Sequence, residues 1–187
     1  ISLRVGYNLL DMQPEVRESP NAIAVDRAAG RIEFQEVNFS YKGRKDTLRG
    51  ISFTAEPGQT VAIVGPTGAG KTTLISLIPR FYDPQNGRIL LDGTDVSELT
   101  LESLRQQISL VLQEPLLFSG SIAENIRYGN LEAGDDQIIE AARAANAHDF
   151  IMRLPKQYET ELGERGAQLS GGERQRICVA RVFRKDA

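Results

Sequence analysis

Residues Gly65-Pro66-Thr67-Gly68-Ala69-Gly70-Lys71-Thr72 fit the spacing G-x-x-x-x-G-K-[S/T] at every constrained position. The glycines let the backbone turn its N–H groups inward, where they can ring phosphate oxygens. A helix opening at Lys71 would aim the positive end of its dipole at the same anion. Lys71 would then reach the β- and γ-phosphates, and the Thr72 hydroxyl would hold magnesium. The chemistry implied is capture of a nucleoside triphosphate. A glycine-rich turn matched by chance is the plainer explanation, and the strand expected before the loop and helix after it argue against it. The loop says nothing of purpose, since many unrelated activities are built on it.

A second stretch, Leu169-Ser170-Gly171-Gly172-Glu173-Arg174-Gln175-Arg176, places a serine and two glycines at a helix start. A hydroxyl and unpaired backbone N–H groups there make a second anion site. As bare chemistry, an N-capping serine followed by glycines is equally an ordinary helix start. Two anion sites on one chain suggest that one serves a partner's nucleotide.

The elements that must hold these motifs read as α/β. Alternation of Ile32, Phe34, Val37, Phe39 and Tyr41 predicts a strand with one irregular step. A second strand is expected over 50–55. The β-branched run 60–64 suits a strand buried in a parallel sheet and feeds the glycine loop. Residues 71–77 read as a helix, 88–91 as a hairpin strand before Asp92-Gly93, and 108–112 as another strand. Helices are expected over 121–127, 135–147, 150–154 and 171–184. Residues 1–30 read as a leader whose weak helical period (Val5, Leu9, Leu10, Met12) ends at Pro14 and Pro20.

Composition removes other classes. Lys plus Arg number 22 against 25 Asp plus Glu, a net charge of −3, so bulk positive charge does not hold this chain to nucleic acid. One cysteine cannot close an internal disulfide, and one histidine excludes a multi-histidine metal centre. No stretch approaches the roughly 18 apolar residues of a membrane helix, and Arg4 and Asp11 interrupt any signal peptide. Arg174, Arg176, Arg181, Arg184 and Lys185 make the last helix basic, read here as a solvated face with cations near a helix C-terminus. Cys178 reads as a small packing residue.

The loop at 65–72 with 169–175 downstream resembles the ATP-binding domain of ABC transporters. Gln113-Glu114-Pro115, Phe118-Ser119-Gly120-Ser121-Ile122 and Glu161-Leu162-Gly163-Glu164-Arg165-Gly166 resemble the exporter branch, as do residues 31–41 and Leu9-Leu10-Asp11-Met12-Gln13-Pro14. The resemblance runs over most of residues 9–186. It implies an α/β fold: a P-loop NTPase core of ABC type with an antiparallel β subdomain and an α-helical subdomain, incomplete at its C-terminus. Residues 1–30 would be a leader from a preceding membrane domain, 31–112 the β subdomain and phosphate-loop core, 113–170 the helical subdomain and 171–187 the signature helix.

The same resemblance implies roles. ATP and Mg2+ would be bound, with Gly65 through Thr72 and the adjoining Thr73 around the phosphates, and Tyr41 stacked on adenine. Lys71 and Gln113 would serve catalysis, Thr72 and Gln113 the metal. Ser170, Gly171, Gly172 and Glu173 would meet the γ-phosphate held by a second ATP-binding domain, paired head-to-tail. Read without the family, Tyr41 is a buried strand-end tyrosine and Gln113 a solvated glutamine. A transmembrane domain would be the other partner, with residues 114–127 pushing on it from the cytoplasmic face of the cell membrane. No nucleic acid is expected.

The sequence departs from the family pattern at its end. The apolar strand ending in Asp-Glu, and the later histidine, would follow Lys185-Asp186-Ala187, so the chain reads as a truncated piece. Ile89-Leu90-Leu91-Asp92 imitates that strand but leads into Gly93, and His148 falls in the helical insertion as a surface or satisfied histidine. Without the catalytic base the rate falls on the order of 10²–10⁴-fold. The expectation is a chain that binds ATP but barely hydrolyses it, with apolar surface open where a strand is missing. Competing readings are a soluble ABC-type ATPase of repair or translation and a nucleotide-sensing module that never hydrolyses.

Overall fold

The computed structural model describes residues 14–43, 47–163 and 166–184. They form two compact units that divide between Gln107 and Ile108.

In the first unit, strands β1 (Ile32–Phe39), β2 (Leu48–Ala55), β3 (Asn86–Leu91) and β4 (Thr94–Asp95) form one antiparallel sheet in the order β2-β1-β3-β4. The irregular step expected in β1 is a register shift between Phe34 and Val37, where Glu36 takes φ +48. Phe34 pairs with Phe53, their rings stacked at 4.7 Å, and Phe34, Val37, Ile89 and Leu91 are buried. Each such side chain contributes roughly 1.5–3 kcal/mol by leaving water. Asp92 (φ +51) and Gly93 (φ +86) make the tight turn into β4. The hairpin reading of 89–92 holds, and the Asp92 carboxylate is engaged elsewhere. It accepts hydrogen bonds from the Ala29, Gly30 and Arg31 N–H groups at 2.6, 3.1 and 2.8 Å.

Two expected strands are absent. Neither 60–64 nor 108–112 has a β ladder among the described residues. Val64 is 88% exposed and Leu112 51%. An apolar β-branched run acquires strand structure only from a hydrogen-bonded neighbour, and the described residues supply none. Helices α1 (Lys71–Leu77) and α2 (Leu101–Gln106) complete the unit. The sequence reading missed α2, whose signal is Thr100: its hydroxyl caps the Ser103 N–H.

The second unit packs α3 (Ile122–Arg127), α4 (Asp135–Ala144), α5 (His148–Met152) and α6 (Gly171–Arg184) around a shared core, with a short ladder of β5 (Gly120–Ser121) on β6 (Glu161–Leu162). Ile122, Ile126, Ile138, Ile151 and Ile177 are fully buried there, with Phe150 nearly so. Ser121 and Glu124 form a capping box that starts α3, at 3.1 and 2.8 Å. Among the described residues no helix is long and apolar enough to cross a membrane. The leader residues Val5, Leu9, Leu10 and Met12 lie outside the described residues.

Candidate functional site

The glycine loop follows the segment 60–64, which has no regular structure, and turns at Pro66, whose carbonyl accepts the Ala69 N–H at 3.2 Å. Gly68 and Gly70 sit at φ +83 and +86, a conformation that side chains resist. Gly70 is fixed for a second reason: a Cβ there would lie 2.8 Å from Leu48 Cδ2 and 2.9 Å from the Thr47 carbonyl oxygen. Gly70 is the N-cap of α1 and supplies no side-chain cap bond. The Lys71 ammonium folds back over the loop and donates to the Gly65 and Pro66 carbonyls, each at 2.8 Å. A cation thus stands at the mouth of the loop on exposed carbonyls, an arrangement that fits a phosphate anion. Thr72 is exposed beside it. The loop residues Thr67 and Ala69 expose their side chains too.

Tyr41 follows β1. Its hydroxyl shares a 3.1 Å hydrogen bond with the Thr73 hydroxyl on α1, joining the expected base-stacking residue to the phosphate-loop helix. Its ring meets Phe39 (4.9 Å) and Tyr82 (5.2 Å) nearly edge-on. These rings line a cleft of about 510 Å³ with Glu15, Val16, Asp83 and Gln85.

In the second unit Gln113, Glu114 and Pro115 face Gly171, Arg174 and Gln175 across a groove of about 1110 Å³. Ser170 caps α6 reciprocally: its N–H and hydroxyl both donate to Glu173 Oε2 at 2.8 Å, and its oxygen accepts the Glu173 N–H at 3.3 Å. The bonds from Ser170, backbone first and then side chain, hold the Glu173 carboxyl below its ordinary range, with Arg176 and Arg153 adding to the effect. Gly171 and Gly172 are exposed at the same helix start.

Of the basic residues expected to form a solvated face, Arg174, Arg176 and Arg181 are half-buried, while Lys185 and the side chain of Arg184 lie outside the described residues. Arg176 lies over the Phe150 ring at 5.1 Å. Arg181 donates to the Asn125 carbonyl at 2.9 Å, to Asn125 Oδ1 at 3.1 Å and to the Leu116 carbonyl at 3.2 Å, with its guanidinium over Phe118. Burial lowers its pKa. Their helix packs against α3 and α4, so arginines at these positions meet aromatic rings and loop carbonyls before water. Asn125 is 0% exposed and satisfied on both ends, since it also accepts from the Phe118 N–H and donates to the Phe118 and Ser121 carbonyls. Sequence reading missed this clamp on the segment after Gln113. His148 is satisfied, its Nδ1 being 2.9 Å from the Tyr158 hydroxyl. Cys178 is buried, as a packing residue should be.

A lysine folded over a G-x-x-x-x-G-K-[S/T] loop at a helix start matches the loop and helix of a phosphate-loop motif. Residues 48–187 match the family model described as ABC transporter, and the chain belongs to that family. It is 50% identical over 184 residues to the Beta-(1→2)glucan export ATP-binding/permease protein NdvA of Nitrobacter winogradskyi, covering 98% of this chain and 30% of that protein. It is 49% identical over 185 residues to ATP-binding cassette sub-family B member 6 of Homo sapiens, covering 99% of this chain and 22% of that protein. Among solved structures it resembles a bacterial Atm1-family ABC exporter with ATP bound, at a TM-score of 0.94 and 44% identity, over 98% of this chain and 32% of the other. The chain therefore spans less than a third of the relatives it matches. Its family implies ATP as a ligand.

Proposed function

We propose that this chain is the ATP-binding part of an ABC exporter, which powers transport through ATP-driven head-to-tail pairing and hydrolysis at the cytoplasmic face of a membrane. The observation that carries the reading is the Lys71 ammonium held over the Gly65 and Pro66 carbonyls at the start of α1. ATP would displace those two weak acceptors with phosphate oxygens, a stronger partner for an ammonium. Backbone N–H groups from Gly65 to Thr73 would hold the phosphates, and Tyr41 would stack on adenine. Thr72 and Gln113 would hold Mg2+, which when bound supplies charge neutralisation at the β- and γ-phosphates. Ser170, Gly171 and Gly172, with Glu173 behind them, would meet the γ-phosphate of a second copy or a related domain. ATP favours the paired state because it binds that state more tightly, and loss of the γ-phosphate removes the preference. The relatives named as export ATP-binding/permease proteins support a transmembrane partner.

Equilibrium binding of Mg-ATP to the 187-residue chain tests the reading, with steady-state hydrolysis measured in parallel. Lys71→Ala is expected to weaken ATP binding at least about tenfold, by removing a charge-assisted contact. Turnover is expected to stay low, because the residues present include no Asp-Glu pair after α6. ATP affinity unaltered by Lys71→Ala would overturn the proposal.

A further inference from the structure

Arg80 is a cation only 4% exposed, three residues beyond the end of α1. Its backbone sits at φ +54, which a side chain of this size adopts only when the surroundings enforce it. The enforcement is visible. Arg105 of α2 donates to the Pro79 and Arg80 carbonyls, each at 3.0 Å, and so grips the chain on both sides of the strained peptide. The Arg80 guanidinium then reaches three separate segments. It holds Asp83 through two bonds, at 2.7 and 3.2 Å, the Ser97 carbonyl at 3.2 Å and the Arg17 carbonyl at 2.9 Å.

Arg17 opens a strap pinned along the first unit. The Leu101 N–H donates to Glu18, the Ile23 N–H to the Glu98 carbonyl, the Val25 N–H to Ser103 Oγ and the Ala28 N–H to Gln107 Oε1. On the other side of Arg17, Glu15 and Val16 line the cleft that holds Tyr41, Tyr82 and Asp83. One guanidinium therefore joins the end of the phosphate-loop helix, the Tyr82–Asp83 wall of the cleft and the strap. A buried charge that lost any of these acceptors would be left short of partners, so the three segments are constrained to move together.

We propose that Arg80 is a positioning residue that couples the N-terminal strap to the base-binding wall of the nucleotide site. The proposal rests on the reading of Tyr41 as the residue that stacks on the base. Occupation of the cleft bears on Tyr82, whose ring meets Tyr41, and through Asp83 and Arg80 on residues 15–25.

The test uses the full chain, with Arg80→Lys, Asp83→Asn and Tyr41→Ala. Affinities for Mg-ATP and for magnesium triphosphate, which lacks the base, are measured beside hydrogen exchange of residues 15–25 with and without ATP. ATP is expected to slow exchange of the strap in the unaltered chain. Asp83→Asn is expected to abolish that slowing and weaken ATP on the order of threefold to tenfold, as loss of a charge-assisted bond does, while triphosphate affinity holds. Arg80→Lys keeps the charge without the fork, is expected to behave alike, and is read in place of Asp83→Asn if the latter loses its native circular dichroism. Strap exchange indifferent to ATP in the unaltered chain would overturn the coupling. So would variants that weaken ATP and triphosphate together, the mark of a mere staple. Failure of the Tyr41 reading looks different: Tyr41→Ala would leave the ratio of the two affinities unchanged.

Discussion

Gly87 shows how one residue can carry the cost of a bulge. It sits at φ +79 opposite the irregular step of β1, and a Cβ there would fall inside contact distance of the Gln35 and Glu36 carbonyl oxygens. Backbone cannot yield as a side chain does. Gly87→Ala is expected to lower the unfolding free energy by about 2–4 kcal/mol, measured by urea denaturation. Gly93 is a useful control, since a Cβ there meets nothing within 4 Å although its φ is +86, so only the conformational strain remains. Glu173 gives a pH-dependent case. Its carboxyl is held below the ordinary 4.5 by Ser170. A lowered folded pKa stabilises the fold fully above the unfolded value and is lost as pH falls through the folded one. The gap in stability between the unaltered chain and Glu173→Gln is therefore expected to shrink between neutral pH and about pH 3.5. Denaturation curves at the two limits would show it, and a gap that stays constant would exclude the cap as its source.

At the scale of elements, the clamp formed by α3 and α6 has the largest expected effect. Asn125→Ala would leave the Phe118 N–H and carbonyl and part of the Arg181 guanidinium without these partners in a partly buried place. The expected destabilisation is about 3 kcal/mol, with the segment after Gln113 losing order first, as hydrogen exchange would report. This clamp was invisible in the sequence because no local pattern says that an asparagine on α3 faces an arginine 56 positions later. Other elements were legible where a local signal was strong. Helix α6 runs over the residues expected from Ser170 and its glycines, and α1 starts at Lys71 as the loop spacing requires. The segments 60–64 and 108–112 failed for the opposite reason: their letters suit strands, but strand formation is a property of a pair.

For the whole molecule, the loop at 65–72 and the capped start of α6 were legible as local structure, since both are contiguous motifs. What the sequence could not supply was what ties Tyr41 to Thr73, or Arg80 to Arg17, since each joins residues far apart in the chain. The proposed function makes a prediction at this scale too. With the helix starts at Lys71 and Gly171 as the proposed anion sites, an ATP-dependent dimer is the expected outcome, to be measured by sedimentation with Mg-ATP. Ser170→Arg, which places a bulky side chain at the cap, is expected to abolish pairing while leaving ATP binding by the single chain intact. Loss of both would show that the signature helix start is structural alone.

The bonding of Asp92 bears on how the molecule ages. An aspartate followed by glycine is prone to cyclise: the glycine nitrogen attacks the side-chain carboxyl carbon, a carboxyl oxygen leaves as water, and water then reopens the succinimide partly as isoaspartate. At Asp92-Gly93 that carboxyl is held by the N–H groups of Ala29, Gly30 and Arg31 and is not free to swing toward the Gly93 nitrogen. Residues 29–31 therefore act as a chemical preservative for the turn they touch. Any variant that loosens residues 29–31 should accumulate isoaspartate at Asp92 on storage, before it shows any loss of fold.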